Sequence, residues 1–209
     1  MGKDRHPKAL GGWGLKNVHR FSTALAAKCG WRLISTTSLW TKVTIQKYIA
    51  PASLINWIKL PQKSHRGGSI FWKAIIKSFH LIEIHLAWNV GDGSSVRIGL
   101  DPWPGSGHQH ILPQDTRDLL VDQGFIHLNQ VADPRHTTIW KQAWLPGYVL
   151  GLPNQHIPLW EDYIGALLTA HIHIQDRQDE LYWVGDPSRT YTPKAGYVKL
   201  CTELFDREE

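Results

Sequence analysis

Apolar residues recur at helical spacing soon after a glycine cluster near the start of the chain. Val18, Phe21, Leu25 and Cys29 fall on one stripe, with Leu33 at its edge. Residues three and four apart lie on one face of a helix, so this spacing predicts an amphipathic helix.

Two more helices are predicted before residue 80. Ser38 can cap the first, with apolar contacts from Leu39, Val43 and Ile45, and Pro51 blocks its continuation. Residues 50–68 are then predicted to form a loop. Ser69 can cap the next helix, whose apolar positions recur at i, i+3, i+4 and i+7: Trp72, Ile75, Ile76 and Phe79.

Period-two alternation predicts two β-hairpins. The first pairs residues 86–90 with 96–98 across a turn at Asp92-Gly93, and the second pairs 181–184 with 189–191. Gly91-Asp92-Gly93-Ser94-Ser95 superficially resembles a phosphate-binding loop, but no lysine follows and a strand comes next, which favours the turn.

The remaining helices are predicted near the C-terminus. Pro158 suits a first helical position before a stripe of four apolar residues: Trp160, Ile164, Leu167 and Leu168. Thr192 and Pro193 begin the last helix, whose apolar face consists of Tyr197, Leu200, Cys201 and Leu204.

These patterns predict an α+β chain in five parts. The parts are a basic tail (1–14), a basic helical portion (15–80), a β-hairpin with an Asp-Pro-Trp loop (81–105), an irregular linker with short elements at best (106–157), and a helix, hairpin and helix unit (158–209). The sequence has neither a long apolar run nor a signal peptide, so we expect an intracellular protein, in the nucleus or the cytoplasm, without a membrane partner.

Charge is distributed unevenly along the chain. Residues 1–80 contain 14 basic residues and one acidic residue, Asp4, for a net charge of +13, whereas residues 81–209 contain 9 basic and 17 acidic residues, for −8. A basic segment of this kind predicts a surface for a polyanion, most often a nucleic acid. The alternative is a solvated helix face, which normally carries both signs.

Eight cations are predicted to face phosphate, from their charge and their helical placement: Lys16, Arg20, Lys28, Arg32, Lys42, Lys47, Lys73 and Lys77. The eleven tryptophans could stack on bases, but most occupy apolar periodic positions that favour core packing. Trp13 and Trp31 are the better stacking candidates because cations flank them, although packing is favoured there too.

No catalytic or metal-binding constellation is recognisable, and no cofactor is predicted. The closest histidine pairs, His108 with His110 and His171 with His173, lack the four converging ligands of a zinc site. No nucleophilic elbow or adjacent aspartate pair occurs. Cys29 and Cys201 are predicted to be buried free thiols.

Several blocks resemble, in order, the region just downstream of the polymerase domain in plant non-LTR (LINE-type) retrotransposon reverse transcriptases. The blocks are Pro7 through Asn17 around Gly11-Gly12-Trp13-Gly14, Phe21 through Leu33, Ser38-Leu39-Trp40 through Tyr48, Trp88 through Trp103, and Asp179 through Tyr197. They cover nearly the whole chain.

The resemblance implies a thumb-and-linker portion followed by the opening of a zinc-binding module. The family's polymerase residues lie upstream of these blocks and most of its zinc ligands downstream. Neither the polymerase nor the ribonuclease H of some family members can be assigned to a residue here, so the expectation is a fragment that is not an enzyme. A thumb grips a duplex by its backbone, which agrees with the basic helices.

The predicted function is therefore a catalytically silent reverse transcriptase fragment. It would bind RNA or an RNA–DNA duplex without sequence specificity through residues 15–80, and it would pack onto neighbouring domains of a parent polyprotein. The alternatives are a relic, or a domesticated protein-interaction fragment, without a nucleic-acid role. A further alternative is an enzyme such as a histidine-rich metal hydrolase.

Overall fold

A computed structural model describes residues 17–59, 68–133 and 144–205 of the chain. The described residues form helices and a two-stranded antiparallel sheet, so the α+β class is confirmed. In chain order the elements are α1 (Val18–Ser35), α2 (Leu39–Tyr48), α3 (Leu54–Ile58), α4 (Ile70–Ser78), α5 (His80–Glu83), β1 (Leu86–Asn89), α6 (Gln114–Asp122), a 3-10 helix (Leu128–Val131), α7 (Ile157–Thr169), β2 (Glu180–Trp183) and α8 (Pro193–Phe205).

The predicted N-caps are confirmed at three helices. Ser38 and Thr41 form a reciprocal capping box at the start of α2, and the Ser69 hydroxyl accepts the Trp72 amide at 3.2 Å in α4. The Thr192 hydroxyl accepts the Ala195 amide at 3.1 Å in α8. Each cap satisfies an amide that the helix itself leaves unpaired.

The buried face of α1 differs from the predicted stripe. Val18 is 82% exposed and Leu25 45% exposed, whereas the buried residues are Ala24, Ala27, Gly30, Trp31 and Leu33. The inward face is thus built mainly from small residues, which let neighbouring helices approach closely. A count of large apolar side chains does not detect such a face.

Helix α2 shows the same discrepancy. Its predicted contact residues Leu39 and Val43 are 79% and 55% exposed, while Thr41 and Thr44 are buried. In α4 the prediction is confirmed, since Trp72, Ile75 and Ile76 are buried and Phe79 follows them into the core.

Strand pairing corrects the hairpin prediction. Strand β1 pairs with β2, about 90 residues later in the chain, and not with residues 96–98. Arg97 forms an isolated bridge with His127 instead. In the second predicted hairpin, the Trp183 amide does donate to the Arg189 carbonyl at 3.1 Å, but β2 has its strand partner in β1.

The region from 106 to 157, expected to be irregular with short elements at best, contains two short helices among its described residues. Helix α6 has nine residues, and the 3-10 helix follows after a short turn. The polar composition of α6 hides its amphipathic pattern, because only Thr116 and Leu120 are buried.

The chain divides into two compact units. The first contains the described residues up to Leu86 and those from Trp183 onward, and the second runs from Ala87 to Tyr182. These units are defined by packing in space, whereas the predicted boundaries were drawn along the chain.

In the first unit α1 packs against α4 and α8. Ala24, Tyr197 and Cys201 form one buried cluster at the contact with α8. Trp57 packs edge-on against Phe79 at a centroid distance of 5.1 Å.

The second unit has its own aromatic core. Trp103 and Trp160 are almost fully buried, and both lie within 5.6 Å of the Tyr163 ring centroid. A bidentate ion pair joins Arg97 to the buried Asp101, with Nη2 and Oδ1 2.9 Å apart.

None of the helices among the described residues has the length and apolarity that crossing a membrane requires.

Candidate nucleic-acid interface

Helix α4 exposes a ridge of two cations. Lys73 and Lys77 are exposed and lie one turn apart, while the opposite face carries the buried Trp72, Ile75 and Ile76. Burial of that apolar face therefore forces both ammonium groups towards solvent, where they lie side by side on the helix surface.

A groove of about 380 Å³ lies beside this ridge, within the first unit. Lys77 of α4 and Arg20 of α1 line it, together with the imidazoles of His19 and His80. Among the described residues that line the groove none is a carboxylate, and no acidic residue occurs between Asn17 and Ile82 in the sequence. The structure thus brings two of the predicted cations together in one concave site.

Local contacts position these groups. The Arg20 guanidinium is half-buried, with Nη1 3.7 Å from Sγ of the buried Cys201. The His80 ring places Nδ1 3.0 Å from the Lys77 carbonyl. Because a carbonyl only accepts, Nδ1 is the donor there, and Nε2 is the other polar atom of the ring.

Three further predicted cations are exposed on α1 and α2. Arg32 stacks on Trp40, 5.6 Å from the ring centroid, and Lys47 lies 5.2 Å from the centroid of Tyr48. Lys42 is exposed on α2. Cation–π contacts hold such side chains in place without neutralising their charge.

Lys28 is half-buried and makes a contact within the protein. Its ammonium donates a hydrogen bond of 2.9 Å to the Tyr191 carbonyl, within the first unit. Partial burial lowers the pKa of Lys28, and the nearby Arg32 lowers it further. This contact joins α1 to the segment before α8 and uses one of the three ammonium protons of Lys28.

Lys16, the remaining predicted cation, lies outside the described residues, as does Trp13. Trp31 is 3% exposed and packs in the core. Trp72, Trp88, Trp160 and Trp183 are also buried, which confirms core packing for these rings.

Sequence reasoning missed the two groove histidines and the aromatic partners of the cations. His19 and His80 are far apart in sequence, and a charge count at neutral pH leaves them out. The helical register could have revealed His80, three residues after Lys77. It could not have revealed that α1 supplies the opposite wall.

The described residues contain no group of three or more histidine, cysteine, aspartate or glutamate side chains that could hold a metal ion. Cys29 and Cys201 are both free thiols, as predicted; Cys201 is buried, whereas Cys29 is only half-buried, and its partial burial raises the pKa of Cys29.

In the second unit, the loop that superficially resembles a phosphate-binding loop does hold an anion, from its own chain. Oδ1 of Asp179 accepts the amides of Gly91 and Gly93 at 2.7 and 3.0 Å, and Oδ2 accepts the Ser95 amide at 2.8 Å. Successive backbone amides that converge in this way form an anion-binding nest. Asp179 fills it and fixes the loop after β1 to the residue that precedes β2.

Comparison with known proteins gives one relevant similarity. The chain is 28% identical over 144 residues to an Arabidopsis thaliana protein named "Putative ribonuclease H protein". The match covers 68% of this chain but 20% of the relative, so the chain spans about a fifth of that protein's length. No protein-family model matches the chain, and no solved structure matches it.

This similarity contradicts the prediction that the chain is not an enzyme. The relative's name is that of a ribonuclease H protein, which points towards a family of nucleic-acid-processing enzymes. The prediction was wrong because it rested on the absence of polymerase and ribonuclease H catalytic residues from this stretch of sequence.

Proposed function

We propose that this chain is a nucleic-acid-binding region of a plant retroelement polyprotein that processes nucleic acids. Within that proposal, the parent protein is the reverse transcriptase of a LINE-type element, and the ligand is RNA or an RNA–DNA duplex held by its phosphate backbone. The relative's name and the order of the sequence blocks support this origin.

One observation carries the binding proposal. Five exposed cations, Arg32, Lys42, Lys47, Lys73 and Lys77, lie on helices of a unit whose sequence has no acidic residue from Asn17 to Ile82. Positive charge concentrated in this way attracts polyanions and carries no base specificity. Lys28 is left out of this set because its ammonium binds the Tyr191 carbonyl.

The salt dependence of binding tests this proposal. Five phosphate contacts would give a slope of log affinity against log salt of roughly −3.5 to −4.5. Replacing both ridge lysines, as Lys73→Gln with Lys77→Gln, would make the slope less steep by about 1.4 to 1.8. Fluorescence anisotropy with a labelled RNA–DNA duplex at several salt concentrations measures both slopes.

A matched control is available in the same unit. Lys194 is exposed at the start of α8 and does not line the groove. Lys194→Gln is expected to leave the slope unchanged. Salt-independent binding of the duplex, or equal effects of the control and the ridge variant, would contradict the proposal.

The assignment to a LINE-type element is tested by the genomic sequence on either side. An upstream frame that encodes the polymerase aspartates, together with a downstream frame that encodes zinc ligands, is the expected result. Flanking frames without these motifs would refute the assignment but not the binding surface.

A further inference from the structure

The groove beside the α4 ridge differs from the rest of the basic surface because it is concave and is lined partly by apolar residues. Ala26 of α1, Ala74 of α4 and Leu200 of α8 contribute apolar surface, while Arg20 and Lys77 contribute permanent charge. A duplex backbone needs only an open charged face. A concave site with both components suits a ligand that has both a flat apolar part and an anionic part.

The size of the groove narrows the choice of ligand. Its volume of about 380 Å³ lies at the lower end of the range for small-molecule sites, which starts at roughly 300 Å³. A bare phosphate would leave most of that space empty, whereas one nucleotide would fill it.

The charges narrow the choice further. Arg20 and Lys77 provide two permanent positive charges, His19 and His80 lie beside them, and none of the described residues that line the groove is a carboxylate. A phosphodiester inside a strand carries one negative charge, whereas a phosphomonoester at a strand end carries between 1.5 and 2 at neutral pH. The groove therefore matches the charge of a terminal phosphate better than that of an internal one.

The hydroxyl groups in the groove complement the other half of a nucleotide. Ser22 and Thr23 both donate to the His19 carbonyl, at 2.8 and 3.0 Å, and Ser78 donates to the Ile75 carbonyl at 2.9 Å. With their protons used in this way, the oxygens of Ser22 and Thr23 present lone pairs, which can accept hydrogen bonds from sugar hydroxyls or base amino groups, whereas Ser78 is buried.

We propose that this groove binds a nucleoside monophosphate unit, and that its biological occupant is the phosphorylated end of a nucleic-acid strand. This inference rests on the proposed function and adds a terminal-nucleotide site to the non-specific backbone surface. Arg20 and Lys77 bind the phosphate, and the small side chains leave room for the sugar and base.

The test compares strands that differ only at their ends. Labelled single-stranded RNA of twelve nucleotides is prepared with a 5′-phosphate, a 3′-phosphate or hydroxyls at both ends, and its affinity is measured by anisotropy at one salt concentration. At least one phosphorylated strand is expected to bind about tenfold more tightly than the hydroxyl-ended strand, as a charge-assisted hydrogen bond permits.

Substitutions at Ala74 and Arg20 test whether the preference for a phosphorylated end arises in the groove. Ala74 is exposed, so Ala74→Leu fills the groove without removing charge or disturbing the core, and Ala74→Ser leaves the groove open as its matched control. The preference for a phosphorylated end is expected to disappear in Ala74→Leu and persist in Ala74→Ser. Arg20→Gln is expected to abolish the preference too, with circular dichroism confirming its fold.

Competition separates a strand end from smaller anions. Uridine monophosphate is expected to displace the phosphorylated strand at concentrations at which inorganic phosphate and uridine do not. Equal competition by inorganic phosphate would overturn the proposal, since the groove would then be a simple anion site.

The remaining outcomes separate this inference from the proposed function. If wild-type protein binds all three strands equally, with the expected salt slope, the terminal site is refuted and the backbone surface stands. If no strand or duplex binds, both are refuted.

Discussion

At the scale of single residues, a close contact explains why a glycine stands at position 196. Gly196 lies in α8 against the hydroxyl of Tyr191, which is fully buried and donates to the Ala24 carbonyl at 2.9 Å. Burial raises the pKa of Tyr191, so the hydroxyl keeps its proton at neutral pH. A methyl group at Gly196 would collide with an oxygen that cannot move without breaking this bond.

Gly196→Ala is therefore expected to lower the free energy of unfolding by about 1–3 kcal/mol, the usual cost of overpacking a core. The steric cost outweighs the gain of roughly 1 kcal/mol that alanine normally brings to a helix interior. Urea denaturation followed by circular dichroism measures the change.

Gly165 provides the matched control for this substitution. It is exposed in α7, and a methyl group there would have no neighbouring atom within 4 Å. Gly165→Ala should raise the stability of its unit by up to about 1 kcal/mol. If both substitutions raised the stability, the Tyr191 hydroxyl would not be in close contact with Gly196 of α8.

At the scale of elements, Asp179 holds the loop after β1 through three backbone amides. Asp179→Asn replaces one acceptor oxygen with an amide group that can only donate, and so sets a donor against at least one of these amides. We expect a loss of about 1–3 kcal/mol in unfolding free energy, because a buried donor is left unpaired. Denaturation measures the loss, and faster amide exchange at Gly91, Gly93 and Ser95 would locate it.

Asp176→Asn serves as the control, because Asp176 is exposed three residues earlier in the same segment. It should change neither stability nor amide exchange in the loop. Equal stability and equal amide exchange in the two variants would show that the nest does not stabilise the loop. The pairing of β1 with β2 would then depend on contacts between the two strands alone.

At the scale of the whole molecule, the end of the chain completes the core of the first unit. Trp183 and Tyr191 are fully buried, and Tyr197 and Cys201 pack against α1. A chain that ends at Tyr182 is therefore expected to lose the cooperative folding of this unit. Limited digestion with trypsin, which can cut after Arg20 and Lys28, should become much faster in α1.

A chain that ends at Phe205 provides the comparison, since it retains each of these contacts. It should resist trypsin as well as the full chain does. Undiminished protection of α1 in the chain that ends at Tyr182 would show that the N-terminal helices fold without α8.

The candidate site was only partly predictable. Counting charges along the chain located the basic helices, and the register of α4 correctly placed Lys73 and Lys77 on its exposed face. The same reasoning treated Lys28 as equivalent, although Lys28 binds the Tyr191 carbonyl 163 residues away. No local pattern could reveal that partner, because it depends on how α1 packs near α8.

The sequence by itself determined the local features: the caps at Ser38, Ser69 and Thr192, the buried face of α4 and the excess of positive charge before residue 80. These depend on neighbours within a few residues. Only the tertiary structure decided which faces of α1 and α2 are buried, that β1 pairs with β2, and that Arg20 and Lys77 share a groove. Those outcomes depend on contacts between segments that are distant in sequence. The residue pattern of one segment gives no information about the energies of these contacts.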